Sequence, residues 1–237
     1  MVGVEVKNLK KNYGSVEALK GISFSIKNGE IFGLIGPNGA GKTTALRIIS
    51  TLLQINAGSV KIMGFDVKKQ PGEIRKFISY LPEDAGAYKN LTGRGYLTFI
   101  ANFFGEQKTK DMVDKGIEIA DLDERIDDRV DTYSKGMKRR LLVGRALMTN
   151  PDLAILDEPT SGLDVINAQE IRKIIKNTAK NGTTVLLSSH NMLEVEYLCE
   201  RIALIADGVV IEEGKPKTLM DKYNAKNIEE VFTKVVQ

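Results

Sequence analysis

The sequence predicts an α/β fold with an antiparallel β layer, a mostly parallel core sheet and an inserted helical segment. Three observations carry that prediction. The nearly continuous apolar run Ile31–Ile35 is followed by a glycine-rich loop and a helix-like stretch, the opening of a strand–loop–helix unit. Two further apolar runs, 153–156 and 183–188, flank the helix-like segment Val165–Lys180, so a right-handed helical crossover joining parallel strands is the economical topology. Between Glu83 and Asn150 the apolar runs give way to helix formers, polar loops and charges.

Taken in order, Val2, Val4 and Val6 alternate with smaller or charged residues, and a second β-like segment at 21–26 precedes the turn Lys27-Asn28-Gly29-Glu30. These two predict the antiparallel layer. The helix after the glycine loop is expected over 42–53. In the inserted segment, helices are expected at 94–104, 110–120 and 135–148. Two strands at 202–206 and 209–213 flank Asp207-Gly208, a two-residue hairpin signal that closes the sheet. From Pro216 two short helices follow, the second with Ile228, Val231, Phe232 and Val235 at i, i+3, i+4 and i+7, a stripe that needs a surface to bury against. The expected divisions are a discontinuous lobe of residues 1–83 and 150–214, a helical unit at 84–149 and a helical tail at 215–237.

Composition narrows the functional classes. The 237 residues are 42% hydrophobic and 27% charged, enough for a sizeable core in one or two domains. Thirty-four Lys and Arg against thirty-one Asp and Glu leave a net charge of +3, too little to suggest attachment to nucleic acid. A single cysteine, Cys199, excludes an internal disulfide, and a single histidine, His190, excludes any site that needs two. The longest uncharged stretches, 48–60 and 181–193, fall short of the roughly 20 apolar residues a membrane span requires. Residues 1–14 carry lysines with no apolar run behind them, so no secretory signal is expected.

Chemistry concentrates in three places. Gly36-Pro37-Asn38-Gly39-Ala40-Gly41-Lys42-Thr43-Thr44 fits the pattern G-x-x-x-x-G-K-[ST] between a predicted strand and a predicted helix. The glycines let backbone N–H groups point inward at an anion, the helix terminus adds partial positive charge, Lys42 neutralises the outer phosphates and the Thr43 hydroxyl is placed to ligate Mg2+. Second, the run ending in Leu156-Asp157-Glu158 delivers two carboxylates at the carboxyl end of a strand, where open α/β sheets bind ligands. Asp157 would hold Mg2+ through water, and Glu158 would polarise an attacking water. Third, Ser134-Lys135-Gly136-Met137 opens a helix, with Ser134 as its cap and a small residue in the first turn that permits close approach of an anion. Ser134 lies 157 − 134 = 23 residues before Asp157.

With these elements in this order, the chain resembles the ATP-binding subunit of an ABC transporter, of the drug-exporter-like branch, from the Tyr13 region to the tail. The glycine loop looks like Walker A and the acidic strand end like Walker B. Ser134-Lys135-Gly136-Met137 occupies the place of the signature Ser-Gly-Gly-Gln, Ser161-Gly162-Leu163-Asp164 resembles the D-loop, and Ser188-Ser189-His190 resembles the switch histidine. The resemblance implies a P-loop NTPase fold, with ATP and Mg2+ as cofactors. Tyr13 would stack on adenine, with Val16 also among the nucleotide-binding residues, and His190 would hydrogen-bond the γ-phosphate. It also implies a head-to-tail homodimer, or a pairing with a related cassette, in which each ATP lies between Walker A of one chain and the signature of the other. A separately encoded transmembrane permease would be the partner, on the inner face of the cell membrane, with export as the direction. The segment 84–104, including Tyr88, Leu91, Tyr96 and Phe99, is the candidate permease-facing surface.

The chain departs from the family pattern in two places. Glu83, after Tyr80-Leu81-Pro82, stands where the family usually has glutamine, and would join Thr43 and Asp157 as a metal ligand. The signature carries Lys135 and Met137 where a glycine and a glutamine are usual, while Ser134 and Gly136 are kept. A soluble ATPase acting on nucleic acid or ribosomes would bring two fused cassettes or a long coiled coil, and a GTPase would bring an N-K-x-D motif. Neither is found in the sequence.

Overall fold

The computed structural model describes residues 2–236; Met1 and Gln237, the ends of two of the expected divisions, lie outside them. Strands β1 (Val2–Tyr13) and β2 (Val16–Lys27) form one long antiparallel hairpin. Both are about twice as long as the alternation suggested. Irregular pairing is the reason: register shifts between Val6 and Leu9 and again before Lys10 and Asn12 break the period-2 pattern that marks a strand. Strand β3 (Ile31–Ile35) has the expected bounds and is buried at every position.

Helix α1 (Lys42–Ile49) stops four residues earlier than expected. The Leu52 and Leu53 amides both turn back to the Arg47 carbonyl, and Thr51 takes a left-handed φ of 64°, which ends the helical path. Strands β4 (Ala57–Ile62) and β5 (Phe65–Asp66) then extend the hairpin into a four-stranded sheet of order β2-β1-β4-β5, and the short helix α2 (Pro71–Ile74) leads to β6 (Ile78–Leu81). None of these four was expected from the sequence.

The inserted segment holds α3 (Gly93–Ala101), α4 (Glu106–Ala120) and α5 (Lys135–Leu147), with 3-10 turns at Asn102–Phe104, Asp123–Asp127 and Val130–Thr132. Thr92 and Ser134 cap α3 and α5 by accepting from the amides of Gly95 and Met137. Next come β7 (Leu153–Asp157), α6 (Val165–Lys180, as expected), β8 (Thr184–Ser189), α7 (Met192–Leu198), β9 (Arg201–Ala206) and β10 (Val209–Gly214). The six-stranded sheet has the order β10-β9-β3-β8-β7-β6, parallel throughout except for β10, which pairs antiparallel with β9 across the Asp207-Gly208 turn. A mostly parallel core sheet and an antiparallel layer are therefore both present.

The tail comprises α8 (Pro216–Lys222) and α9 (Ile228–Val236). The α9 stripe finds its surface: Ile228 and Val231 are buried, Phe232 and Val235 pack beside them, and the Ile228 amide donates to Glu196 of α7 at 2.6 Å. One buried cluster runs unbroken from Leu97 and Leu141 in the helical insert to Leu156 and Leu187 in the sheet, and a second fills the space between the two sheets around Phe32, Leu46 and Ile62. Among the described residues no helix is long and apolar enough to cross a membrane.

An ion network ties the sheets at one end. Arg201 of β9 donates to both Glu30 oxygens at 3.1 and 3.2 Å and to the Ser25 carbonyl of β2. Its guanidinium also lies over the Phe32 ring and pairs with Glu213. Glu30, 4% exposed, also accepts from the Lys27 amide and so fixes the turn into β3. Glu30→Ala should destabilise the fold by about 3 kcal/mol, because it takes the buried carboxylate from a partly buried guanidinium, leaving it only Glu213 as counter-charge, and also removes the acceptor of the Lys27 amide, which lowers Tm by about 6–12 °C. Thermal melts of Glu30→Ala, Arg201→Ala and the double variant check this. The double should be less destabilised than the sum of the singles.

Candidate functional site

The glycine loop spans the gap between the end of β3 and the start of α1, and its shape depends on two close approaches. A β-carbon at Gly36 would lie 2.0 Å from the Ile205 carbonyl oxygen. At Gly41, which has a φ of 103°, it would lie 2.7 Å from the Ala18 carbonyl oxygen. Only glycine fits at either position. The Ala45 amide is the first to bond back into α1, to Gly41 at 3.0 Å, so the amides of Lys42, Thr43 and Thr44 precede the helical ladder, as at any helix amino terminus. These contacts also pull strand β2 and the 207–208 turn against the loop: the Gly208 amide donates to the Ala40 carbonyl, and the Lys20 amide to Gly208. Tyr13 and Val16 sit at the tip of the same hairpin, both exposed, with the Lys11 ammonium 5.4 Å from the Tyr13 ring centre.

The acidic pair stands at the end of β7, next to the loop. Asp157 is 1% exposed and Glu158 5%. Asp157 Oδ1 accepts from Thr43 Oγ1 at 3.3 Å and from Ser188 Oγ at 2.5 Å, and its Oδ2 accepts from the Tyr80 hydroxyl at 3.3 Å. Lys42 Nζ donates to the Gly36 and Pro37 carbonyls at 2.8 and 3.1 Å and lies 3.5 Å from Glu158 Oε1. Beyond that ion pair, Glu158 Oε1 is buried without a hydrogen-bond partner. Its other oxygen is 2.8 Å from His190 Nδ1, on a ring that is half exposed. Glu158 itself has a left-handed φ of 48°, a strained conformation for a residue with a β-carbon.

The structure thus brings Lys42, Glu158 and His190 into one contact chain, and Thr43 and Asp157 into another. It places Glu83 differently: the Glu83 carboxylate accepts from Ser161 Oγ at 3.4 Å. Ser134 caps α5, and its neighbours pack on the 161–167 segment of the same chain. The side-chain amide of Asn167 covers Gly136, where a β-carbon would fall 2.1 Å from Asn167 Oδ1. Asn167 in turn bonds Asp164, the N-cap of α6. The Lys135 ammonium lies over Gly162. A cavity of about 300 Å³ between these parts is lined by Glu83, Lys135, Lys138, Arg139, Glu158 and Ser161 among others. Among the described residues no group of three or more His, Cys, Asp or Glu is arranged to hold a metal, so any divalent ion here would rely on hydroxyl, water or phosphate oxygens as well.

Three contributors were not legible in the sequence. Tyr80 reaches Asp157 from β6, Ser188 reaches it from β8, and Arg139 of α5 reaches under the acidic strand end to five backbone carbonyls. The contact that each makes exists only through pairing with a distant element. Of the aromatic residues expected at the surface of the insert, Tyr96 is instead buried at 4% exposure and belongs to the core. Tyr88, Phe99 and Phe103 remain exposed as an edge-to-face ladder with centroid spacings of 5.2 and 5.3 Å.

The family model described as ABC transporter matches residues 19–161. The chain is 38% identical over 227 residues to the linearmycin resistance ATP-binding protein LnrL of Bacillus subtilis (strain 168), covering 95% of this chain and 73% of LnrL. It is 37% identical over 227 residues to the bacitracin transport ATP-binding protein BcrA of Bacillus licheniformis, covering 95% and 74%. Among solved structures, the ATP-binding cassette MJ0796, dimeric in a post-hydrolysis state bound to ADP and Pi, superimposes with a TM-score of 0.79 at 28% identity, covering 90% of this chain and 98% of that one.

The Tyr80 phenol gives the site a pH signature. Burial first, and then the negative charge of Asp157, push its pKa up to about 12, against the opposing pull of Arg47. A raised folded-state pKa keeps the phenol neutral in the fold after it would ionise in the unfolded chain. Its contribution is therefore complete below pH ~10 and is lost as pH rises towards 12. Tyr80→Phe should remove one late-ionising phenol from an ultraviolet titration and flatten the decline in stability between pH ~10 and ~12. An unchanged titration curve would contradict the assignment.

Proposed function

Because the chain belongs to the ABC transporter family, we propose that its glycine loop and acidic strand end form one face of an ATP sandwich, the other face being the capped helix α5 of a second cassette. The chain is an ATP-binding, ATP-hydrolysing subunit that powers a separately encoded membrane permease. The names of its relatives, linearmycin resistance and bacitracin transport, support export as the direction. The observation that carries the site is the contact of Lys42 with Glu158 beside that of Thr43 with Asp157, at the mouth of a loop built to accept an anion.

In this scheme Lys42 exchanges the Gly36 and Pro37 carbonyls and the Glu158 carboxylate for the β- and γ-phosphates of ATP. The amides at 38–44 hold the phosphate oxygens, and Tyr13 and Val16 meet the adenine at the hairpin tip. Thr43 and Asp157 offer hard oxygens 3.3 Å apart, a donor pair that suits Mg2+, and the bound ion would offset phosphate charge there. Glu158, freed from Lys42, takes the proton of the attacking water. His190 keeps the carboxylate oriented through Nδ1 and presents its exposed edge to the γ-phosphate. Ser134, Lys135, Gly136 and Met137 lie at the amino terminus of α5 and would meet the nucleotide of a second copy or a related cassette arranged head to tail. Closure and reopening of that pair would move the unit at 84–149 relative to the lobe of 1–83 and 150–214, with α8 and α9 of the tail packed on the latter. The exposed ladder Tyr88, Phe99 and Phe103 would face the permease, holding the subunit at the inner face of the membrane. No nucleic-acid partner belongs to this scheme.

Two outcomes test it. Glu158→Gln should retain ATP binding while turnover falls about 100-fold or more, and ATP should trap a dimer visible by light scattering. Lys42→Ala should lose ATP affinity in a calorimetric titration. Unchanged phosphate release in the first variant, or unchanged affinity in the second, would defeat the site. For Glu83, binding to Ser161 and membership of the metal shell make different predictions. If Glu83 joins the shell once nucleotide is bound, Glu83→Gln should weaken the Mg2+ dependence of ATP affinity. Superimposable Mg2+ series for the two proteins would leave it a tether of the 161–164 loop.

A further inference from the structure

Arg139 is the most heavily bonded side chain at the site. It is 8% exposed, in the second turn of α5, and its acceptors are backbone carbonyls. Nε donates to Pro159 at 2.7 Å. Nη2 donates to Asp157 at 3.0 Å and Glu158 at 2.7 Å, and Nη1 reaches Glu83 at 3.3 Å and Pro82 at 3.5 Å. Three pieces of chain meet on one planar group: the end of β7 with the residues after it, the loop that follows β6, and α5, whose first turn carries Ser134 and Gly136.

Burial pulls the guanidinium's pKa down, while the charges of Glu83, Asp157 and Glu158 oppose that pull. A buried guanidinium carries a large desolvation cost unless its donors are occupied, so the carbonyls are held to it as firmly as it is held to them. Two of those carbonyls belong to Glu158 and to its neighbour Pro159. Glu158 is the residue with a φ of 48°, a conformation that persists only where its surroundings over-determine it.

We propose that Arg139 is a positioning residue for ATP hydrolysis: its fork of donors fixes the backbone of Glu158, and with it the direction of the carboxylate, to the signature helix and to the loop of Glu83. Any displacement of α5 or of the 82–83 loop is then felt at the base. A glutamine or lysine at this position offers donors from a single nitrogen, and neither can span Pro159 on one side and Glu83 on the other. This proposal rests on Glu158 acting as the base. It assigns Arg139 no contact with nucleotide.

The test separates positioning from folding. In the full chain, Arg139→Gln and Arg139→Lys should lower kcat about 10- to 100-fold, the scale expected for a misplaced catalytic group. ATP affinity, set by the intact loop at 36–44, should stay within about twofold in a calorimetric titration of the same samples. Failure of Lys to rescue would show that the fork, not the charge, is what matters. Glu158→Gln is run beside them. If Glu158→Gln keeps native turnover, the base assignment falls and this proposal with it. If Glu158→Gln is inactive while Arg139→Gln and Arg139→Lys keep native kcat, the proposal alone is overturned. A parallel fall in kcat and ATP affinity would also overturn it, since that pattern reports general loosening of the fold. Should Arg139→Gln fail to fold, the Lys variant, which keeps the charge and nearly the length, decides the matter by the same criteria.

Discussion

Two carboxylates, 1% and 5% exposed, stand side by side at the end of a buried strand, and much of the surrounding structure answers that placement. Isolated charges so deep would neutralise or unfold the chain, so each oxygen must find a cation or a hydrogen-bond donor. Asp157 is given hydroxyls from three elements, Thr43, Tyr80 and Ser188. Glu158 is given Lys42 and His190. The order of the parallel strands makes this possible: β7 lies between β6 and β8, and β3 lies on the far side of β8. The carboxyl ends of β3, β6 and β8 therefore bring the glycine loop, Tyr80 and Ser188 to the acids of β7. One arrangement provides both the stability of the sheet end and the mouth proposed to bind an anion.

What the sequence revealed and what it concealed divide along the same line. Ile31–Ile35 and Val165–Lys180 were legible because each is patterned by burial alone, a strand covered on both faces and a helix with one apolar side. The hairpin at Asp207-Gly208 was legible because its turn chemistry is local. Strands β4 to β6 and helices α2 and α7 were not, being two to seven residues long, with too few positions for a period to show. Part of β1 was hidden for a different reason, since its register shifts scramble the alternation that pairing would otherwise impose.

The site divides in the same way. The glycine loop announces itself because its residues are forced by contacts within a few ångströms of the backbone, as Gly36 against Ile205 illustrates. The contacts of Tyr80, Ser188 and Arg139 do not, because even a motif that names the segment, as Ser188-Ser189-His190 does, leaves open which partner each side chain meets. Their meaning is set by what lies across the sheet. Glu83 is an intermediate case: its position after Tyr80-Leu81-Pro82 marked it as belonging to the site, but only the fold reveals that its carboxylate meets Ser161.

That contact bears on the chain's departures from the family pattern. Glu83 engages Ser161, the Lys135 ammonium lies over Gly162, and Asn167, bonded to Asp164, covers Gly136. Glu83, Lys135 and Asn167 therefore meet on the short segment 161–164, while Arg139 holds the residues just before it. The glycine loop itself keeps the family pattern. Glu83 and Lys135, two of those departures, thus make their contacts within this chain at the joint between the acidic strand end and the helical insert. Residues that share one contact network couple energetically, so a change at Glu83 or Lys135 acts through the 161–164 loop as well as through any nucleotide that it meets.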